Sequence, residues 1–242
     1  MSSIKLAASS ILVAAMAALV AAPAAAASLK VHLGGIGAGK PIPQKYTFCV
    51  PAEQGHVSRG PDKNPKISWS KGPKGTQSYA IIASDPDVPT IRTDMNKEGK
   101  TLPADMPRRT FYHWVLVDIP ATTTSIAEGA DADGAQPHGK PPGPTKLGVR
   151  GINDYTAAFA SNEQMKGNYG GYDGPCPPWN DLRLHHYHFT VYALDVPKLD
   201  LPADFGGAEA LAAMKGHILA QGSTIGTYTL NPSLKKKSAK SK

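Results

Sequence analysis

The chain has 242 residues, 41% of them hydrophobic, and carries 26 basic against 19 acidic side chains, a formal net charge of +7. Once located, that charge argues against a nucleic-acid surface. Lys5 lies in an apolar leader and five lysines crowd "KKKSAKSK" at 235–242, which leaves 20 basic and 19 acidic residues between Ser28 and Leu234.

In chain order, "MSSIK" precedes an apolar run from Leu6 to Ala22, a break at Pro23 and the small residues Ala25 to Ala27. This is the three-part pattern of a secretory signal peptide over 1–27, and no cysteine stands near the small-residue site to suggest a lipoprotein. The expected mature chain starts near Ser28, outside the cytoplasm and most simply in a periplasm. About 215 residues remain, enough for one all-β domain with its own core. No later segment is apolar for long enough to span a bilayer, so a soluble product is expected. The lysine-rich end at 235–242 reads as a disordered solubilising tail.

Period-two alternation and β-branched or aromatic enrichment predict strands over "SLKVHL" (28–33), "KISW" (66–69), "SYAIIAS" (78–84), "TFYHWVLVDI" (110–119), "HHYHFTVYALDV" (185–196) and "STIGTYTL" (223–230). One helix is predicted within 203–222, with Leu211, Met214, Ile218 and Leu219 on one face and Gly222 as its stop. Two long connections, 91–109 and 121–178, are polar or dense in Gly and Pro; loops of that length are usually functional or disordered. No composition break or internal repeat divides the chain. The pattern is a single β-rich domain, a sandwich or a barrel.

Polar residues collect at the ends of the apolar strands. Asp85 and Asp87 sit in "SDPDVP" just past 78–84, which by itself reads as a strand-ending turn with a side-chain cap. On a strand alternate residues share a face, so Phe111 and His113 point together with Trp114 opposite. By the same rule His185, Tyr187 and Phe189 point one way, His186 and His188 the other. Histidine with carboxylate suits zinc, but only one face of "HHYH" could serve a single ion, so no metal is assigned. No Gly-x-Ser-x-Gly elbow, Walker loop or dinucleotide fingerprint is present. Cys176 lies between prolines with no neighbouring charge to stabilise a thiolate. An oxidising compartment favours pairing Cys49 with Cys176, although their spacing does not say whether they meet.

Taken together, "SYAIIASDPDVP", "FYHWVLVDIP", "GYDGPCPPWNDLRLHHYHFTVYALD" and "GHILAQGSTIGTYTL" resemble the phosphatidylethanolamine-binding protein family, most closely its bacterial, Raf kinase inhibitor-like branch. The resemblance runs from about residue 42 to 230. It implies a mainly all-β sandwich of antiparallel sheets with peripheral helices, long loops and a small anion pocket at one end, over a single domain at 28–234. Carried over by position, the pocket would use Asp85, His113, His185 and Tyr187, with Gly174 and Pro175 as a wall, Phe111 as lining and Asp87 bracing the loop. It also implies a disulfide between Cys49 and Cys176.

A Tyr hydroxyl, loop N–H groups and protonated histidines can donate to phosphate oxygens. Asp85, which would repel an anion, would hold a histidine or accept from an ammonium group. The expected function is a non-enzymatic binding module for a phosphate-type or phospholipid head group, without a cofactor. The alternatives are a protein-interaction module using the long loops, with a protein partner, and a hydrolase or metalloenzyme using Asp85, His113 and His185. The runs 91–109 and 121–170 are long for this branch and bear on access to the pocket. A kinase-inhibitor role is not carried over to a secreted protein.

Overall fold

The computed structural model describes residues 27–132 and 134–234, so all but the last residue of the predicted leader, and the whole lysine tail, lie outside it. The strands that organise the fold are β1 (Val31–Leu33), β2 (Ile67–Trp69), β3 (Ser78–Pro89), β4 (Arg108–Pro120), β5 (Ser125–Ile126), β6 (His185–Leu194) and β7 (Ile218–Tyr228). Two helices, α1 (Tyr155–Ala158) and α2 (Gly207–Met214), are peripheral.

An eight-stranded sheet carries the long strands in the order β7, β6, β3, β4, continued by Val149–Arg150 and Gly143–Pro144. Ala27–Ser28 and Lys40–Pro41 both pair in parallel with β7. The second layer is an antiparallel sheet of β1, β2 and β5. Between the layers lies the larger core, with Ile67 and Trp69 of β2 facing Tyr79 and Ile81 of β3 and Leu116 of β4. On the other face Ala80, Ile82, Val115 and Val117 pack against Ala210 and Met214 of α2. Because β3 and β4 are covered on both sides, they read as unbroken apolar runs instead of alternating ones.

The architecture is the expected sandwich, and four local expectations are corrected. The predicted helix through Gly222 ends at Met214, since Lys215 is extended and Gly216 adopts φ +90°. Ile218 and Leu219 therefore open β7, five residues before the strand read at 223. Gly222 lies within that strand and not at a helix end: a Cβ there would stand 2.0 Å from the Leu29 carbonyl oxygen, so only glycine lets the N-terminal segment cross so closely.

"SDPDVP" does not end its strand either. Asp85 pairs with Phe111 and Val88 with Arg109, so Pro86 and Asp87 oppose Thr110 alone and β3 runs on through a bulge. The Asp85 carboxylate holds this bulge by accepting the Asp87 N–H at 2.8 Å.

A second bulge re-aims β4. Ala83 pairs with Trp114 and Ser84 with Tyr112, leaving His113 as the extra residue. Strict alternation would send Trp114 away from Phe111 and His113. The extra residue instead returns Trp114 to the same core as Phe111, where its Nε1 donates to Asp131 at 2.6 Å. The connection after β4 is also not structureless: Val149–Arg150 extends the main sheet, and Gly139–Lys140 pairs with Asn168–Tyr169.

Candidate functional site

Both bulges open at one end of the sheet, beside a cleft of about 170 Å³. Its floor is polar and closed to solvent: Asp85, His113 and Tyr187 are 1%, 4% and 2% exposed. Its walls are apolar, formed by Val88, Met95, Phe111, Phe159, Pro177 and Pro178. At the exposed rim stand Arg92 and Arg109.

Behind the floor is a ladder of alternating charge. The His185 ring is fully buried, its Nδ1 2.6 Å from Asp85 Oδ2 and its Nε2 3.2 Å from Asp181 Oδ2. Burial works against the imidazolium, but the hydrogen bonds it donates to Asp181 and Asp85 outweigh it and push the His185 pKa up to about 9. The doubly donating cation is therefore the form present at neutral pH. Asp181 in turn receives both terminal nitrogens of Arg108, at 2.5 and 3.0 Å. Burial raises the Asp181 carboxyl, yet its bonds to His185 and Arg108 hold it below the usual range.

Asp87 belongs to the same frame and not to the cleft lining. Its Oδ1 takes Arg183 Nε at 2.5 Å, and its Oδ2 takes the His186 backbone N–H at 2.9 Å and Nδ1 at 2.8 Å. These bonds fasten the bulged end of β3 to the start of β6.

His113 differs from His185. Its Nδ1 lies 2.8 Å from the Asp173 carbonyl oxygen, which can only accept, so Nδ1 carries the proton. Burial depresses its pKa, with Asp85 only partly opposing it, so the ring is neutral at pH 7 and Nε2 keeps a lone pair. Tyr187 packs edge-on against it, centroids 5.2 Å apart. Among the described residues the buried Tyr187 hydroxyl makes no hydrogen bond of normal geometry, although the Asp85 carboxylate is near enough to interact with it. Burial, then the Asp85 charge, pushes its pKa well above the ordinary value, so it remains a phenol.

Asp85, His113, Tyr187 and Phe111 thus meet in the cleft, whereas His185 supports Asp85 from behind without lining it. Gly174 and Pro175 stand off the cleft as well. The Gly174 N–H donates to Asp62 Oδ1 at 2.7 Å and its carbonyl accepts from Tyr155 Oη at 2.8 Å, while the Pro175 carbonyl accepts the Cys49 N–H at 3.1 Å. The wall is made one step later in the chain, by Cys176, Pro177 and Pro178. Cys49 and Cys176 are joined in a disulfide with Cα atoms 4.7 Å apart, which fixes that wall to the body. His186 and His188 are on the outward face of β6.

Sequence reasoning missed Asp181 and Arg108, and it expected the 91–109 run to bear on pocket access without naming which of its residues line the cleft. Asp181 has a faint signal, an acid four residues before His185. The connection is held by Asn180, a buried amide that needs hydrogen-bond partners. Its Nδ2 donates to the Asp94 and Lys100 carbonyls at 2.9 and 3.1 Å, and its Oδ1 accepts the Asn96 N–H at 3.0 Å. So pinned, the segment supplies Arg92, Met95 and Asn96 to the cleft.

Residues 35–229 match the family "Phosphatidylethanolamine-binding protein". A UPF0098 protein of Aquifex aeolicus is 33% identical over 191 residues, 78% of this chain and 82% of its own. The UPF0098 protein YbcL of Escherichia coli K12 is 30% identical over 187 residues, 76% of this chain and 78% of its own. The crystal structure of E. coli YbcL, described as a new member of the mammalian PEBP family, superimposes with a TM-score of 0.59 at 26% identity, covering 84% of this chain and 99% of that one. The chain belongs to the phosphatidylethanolamine-binding protein family.

Proposed function

We propose that the protein is a non-enzymatic binding module, secreted to a periplasm, whose cleft holds a small ligand bearing a phosphate-type or phospholipid head group. The observation that carries this reading is the Tyr187 hydroxyl, buried at the floor of an open cleft with no hydrogen bond of normal geometry among the described residues. A buried hydroxyl without a partner costs about 1–3 kcal/mol, and a ligand that bonds it recovers that cost. The cleft is close in size to an engineered cavity of about 150 Å³ that accepts benzene, so it suits a head group and not a whole lipid. Arg92 and Arg109 supply positive charge where an anionic group would meet the rim.

The geometry favours binding over hydrolysis by the three residues that family position suggests. His185 is fully buried, doubly bonded and protonated, so it cannot accept a proton at neutral pH. The test is native mass spectrometry of the protein purified from its own compartment. A retained small phosphorylated species, absent from a Tyr187→Phe, Arg109→Gln double variant, is the expected result. Ligand-free protein that also fails to take up phosphoethanolamine at millimolar concentration would reject the reading.

A further inference from the structure

Away from the cleft, behind the turn that leads into its proline wall, lies a second set of charges. Asp62 and Asp173 are each 0% exposed, and Lys140 is buried beside them. Lys140 Nζ donates to Asp173 Oδ1 at 2.6 Å and Asn153 Nδ2 donates to Asp173 Oδ2 at 2.7 Å, so both Asp173 oxygens have donors. Asp62 has one, the Gly174 N–H on Oδ1 at 2.7 Å. Its Oδ2 makes no hydrogen bond of normal geometry among the described residues, although the two carboxyl groups are near enough to interact.

With both acids ionised the charges would not balance. Among the described residues Lys140 is the only cation paired with either carboxyl. In the neighbouring ion pair Arg150 is committed to Asp131 at 2.7 Å. The other titratable groups facing the two acids are neutral. Burial holds the Tyr155 and Tyr172 phenols well above their usual range and Tyr169 at about 12, and the His113 ring donates its Nδ1 proton to the Asp173 carbonyl. Two buried carboxylates against one ammonium leave a charge unpaired, and a carboxyl so placed takes up a proton instead. Asp62 is the acid without a cation, and burial, then the Asp173 charge, pushes its pKa well above the ordinary carboxylate range.

We infer that Asp62 is a neutral acid in the folded protein, donating its proton to Asp173, and that this shared proton is a latch whose loss opens the seam between Asp62 and Gly174. The latch is one residue from the cleft floor. The Asp173 N–H donates to the His113 carbonyl at 2.9 Å, the Asp173 carbonyl accepts His113 Nδ1 at 2.8 Å, and Gly174 leads into Cys176, Pro177 and Pro178. At alkaline pH a second negative charge forms beside one ammonium, and water must reach it by parting Gly174 from Asp62. Nothing in this device depends on what the cleft binds.

The sign of its pH dependence is defined. The unfolded chain releases this proton at about pH 4, and the folded chain keeps it to higher pH, so this group's contribution to stability falls as the pH rises from there through the folded pKa. Asp62→Asn removes the titration and keeps the bonds: the amide oxygen serves the Gly174 N–H, the amide nitrogen donates to Asp173, and asparagine tolerates the φ of +48° at this position. On the full mature chain without ligand, the urea midpoint of Asp62→Asn minus that of the parent should rise steadily from pH 4 to pH 8. A flat or falling difference overturns the shared proton.

Two further readouts stand apart from that comparison. In the unsubstituted protein at pH 7 the ¹³Cγ shift of Asp62 should be that of a protonated acid and the shift of Asp173 that of a carboxylate; an ionised Asp62 contradicts the inference. Hydrogen exchange reads the latch itself. Protection of the Gly174 amide, corrected for the base-catalysed intrinsic rate, should fall as Asp62 titrates in the parent and stay level in Asp62→Asn. Protection that is unchanged across the Asp62 titration overturns the latch.

Discussion

Asp85 Oδ2 and His185 Nδ1 lie 2.6 Å apart, joining two strands 100 residues apart in sequence at a point closed to solvent. The pair is half of a longer ladder through Asp181 to Arg108. Each charge in it has a partner on at least one side, and this allows four ionised groups to sit behind a cleft floor.

His185 makes stability pH-dependent in a defined window. Its pKa is raised from about 6.5 to about 9, so the folded state binds this proton more tightly than the unfolded chain. That contribution is complete below about pH 6.5 and is lost as the pH rises through about 9. The shift corresponds to roughly 3 kcal/mol at most. Urea midpoints measured from pH 6 to 10 should fall across this window. His185→Gln should lose about 3–5 kcal/mol at pH 7 by leaving the buried Asp85 carboxylate without its charged partner, while Asp181 keeps Arg108, and its own profile should be flat there.

Tyr187→Phe separates stability from binding. The hydroxyl it removes makes no hydrogen bond of normal geometry among the described residues and has only a looser interaction with Asp85, so the variant should be as stable as the parent within about 1 kcal/mol, or more stable. Affinity for phosphoethanolamine should drop at least severalfold. A large stability loss by denaturant titration would show that the hydroxyl has a structural partner.

The disulfide encloses 127 residues of sequence separation. In the chain-entropy model a loop of that size stabilises by about 5 kcal/mol. Cys49→Ala with Cys176→Ala should lower the unfolding free energy by up to that amount. It should also loosen the Pro177–Pro178 wall, read as faster amide exchange at Trp179.

Asn180→Ala should release the cleft-lining segment. Four backbone groups lose a bond to the side chain, those of Asp94, Asn96, Lys97 and Lys100, at a cost of about 1–3 kcal/mol. Hydrogen exchange should accelerate at the Asn96 amide and stay unchanged at Ile82 in the sheet centre. Unaltered exchange at Asn96 would mean the segment is held by something other than Asn180.

The layers of the fold were readable because β3, β4 and β6 are long and apolar on the period of a strand. On β6 the burial of His185, Tyr187 and Phe189 against the half-buried His186 and His188 follows alternation directly. Alternation failed at His113 and Trp114, where one bulged residue reverses the face, since a bulge leaves no mark in local periodicity. The helix was overextended through Ile218 and Leu219 because an apolar pair can continue a helical face or begin a buried strand. Gly216 was the better stop signal than Gly222. Asp85, His113 and Tyr187 were found through family position. Asp181 and Arg108 were not, because a long-range ion pair imposes no spacing on the sequence around either partner.

The most direct test of the account is a chemical-shift titration of the full mature chain with phosphoethanolamine at pH 7. The binding-module reading expects saturable shifts at Tyr187, His113 and Phe111, with Arg109 following and His188 on the outer face of the sheet unmoved. Folded protein showing no shift at Tyr187 or His113 at millimolar phosphoethanolamine would contradict it.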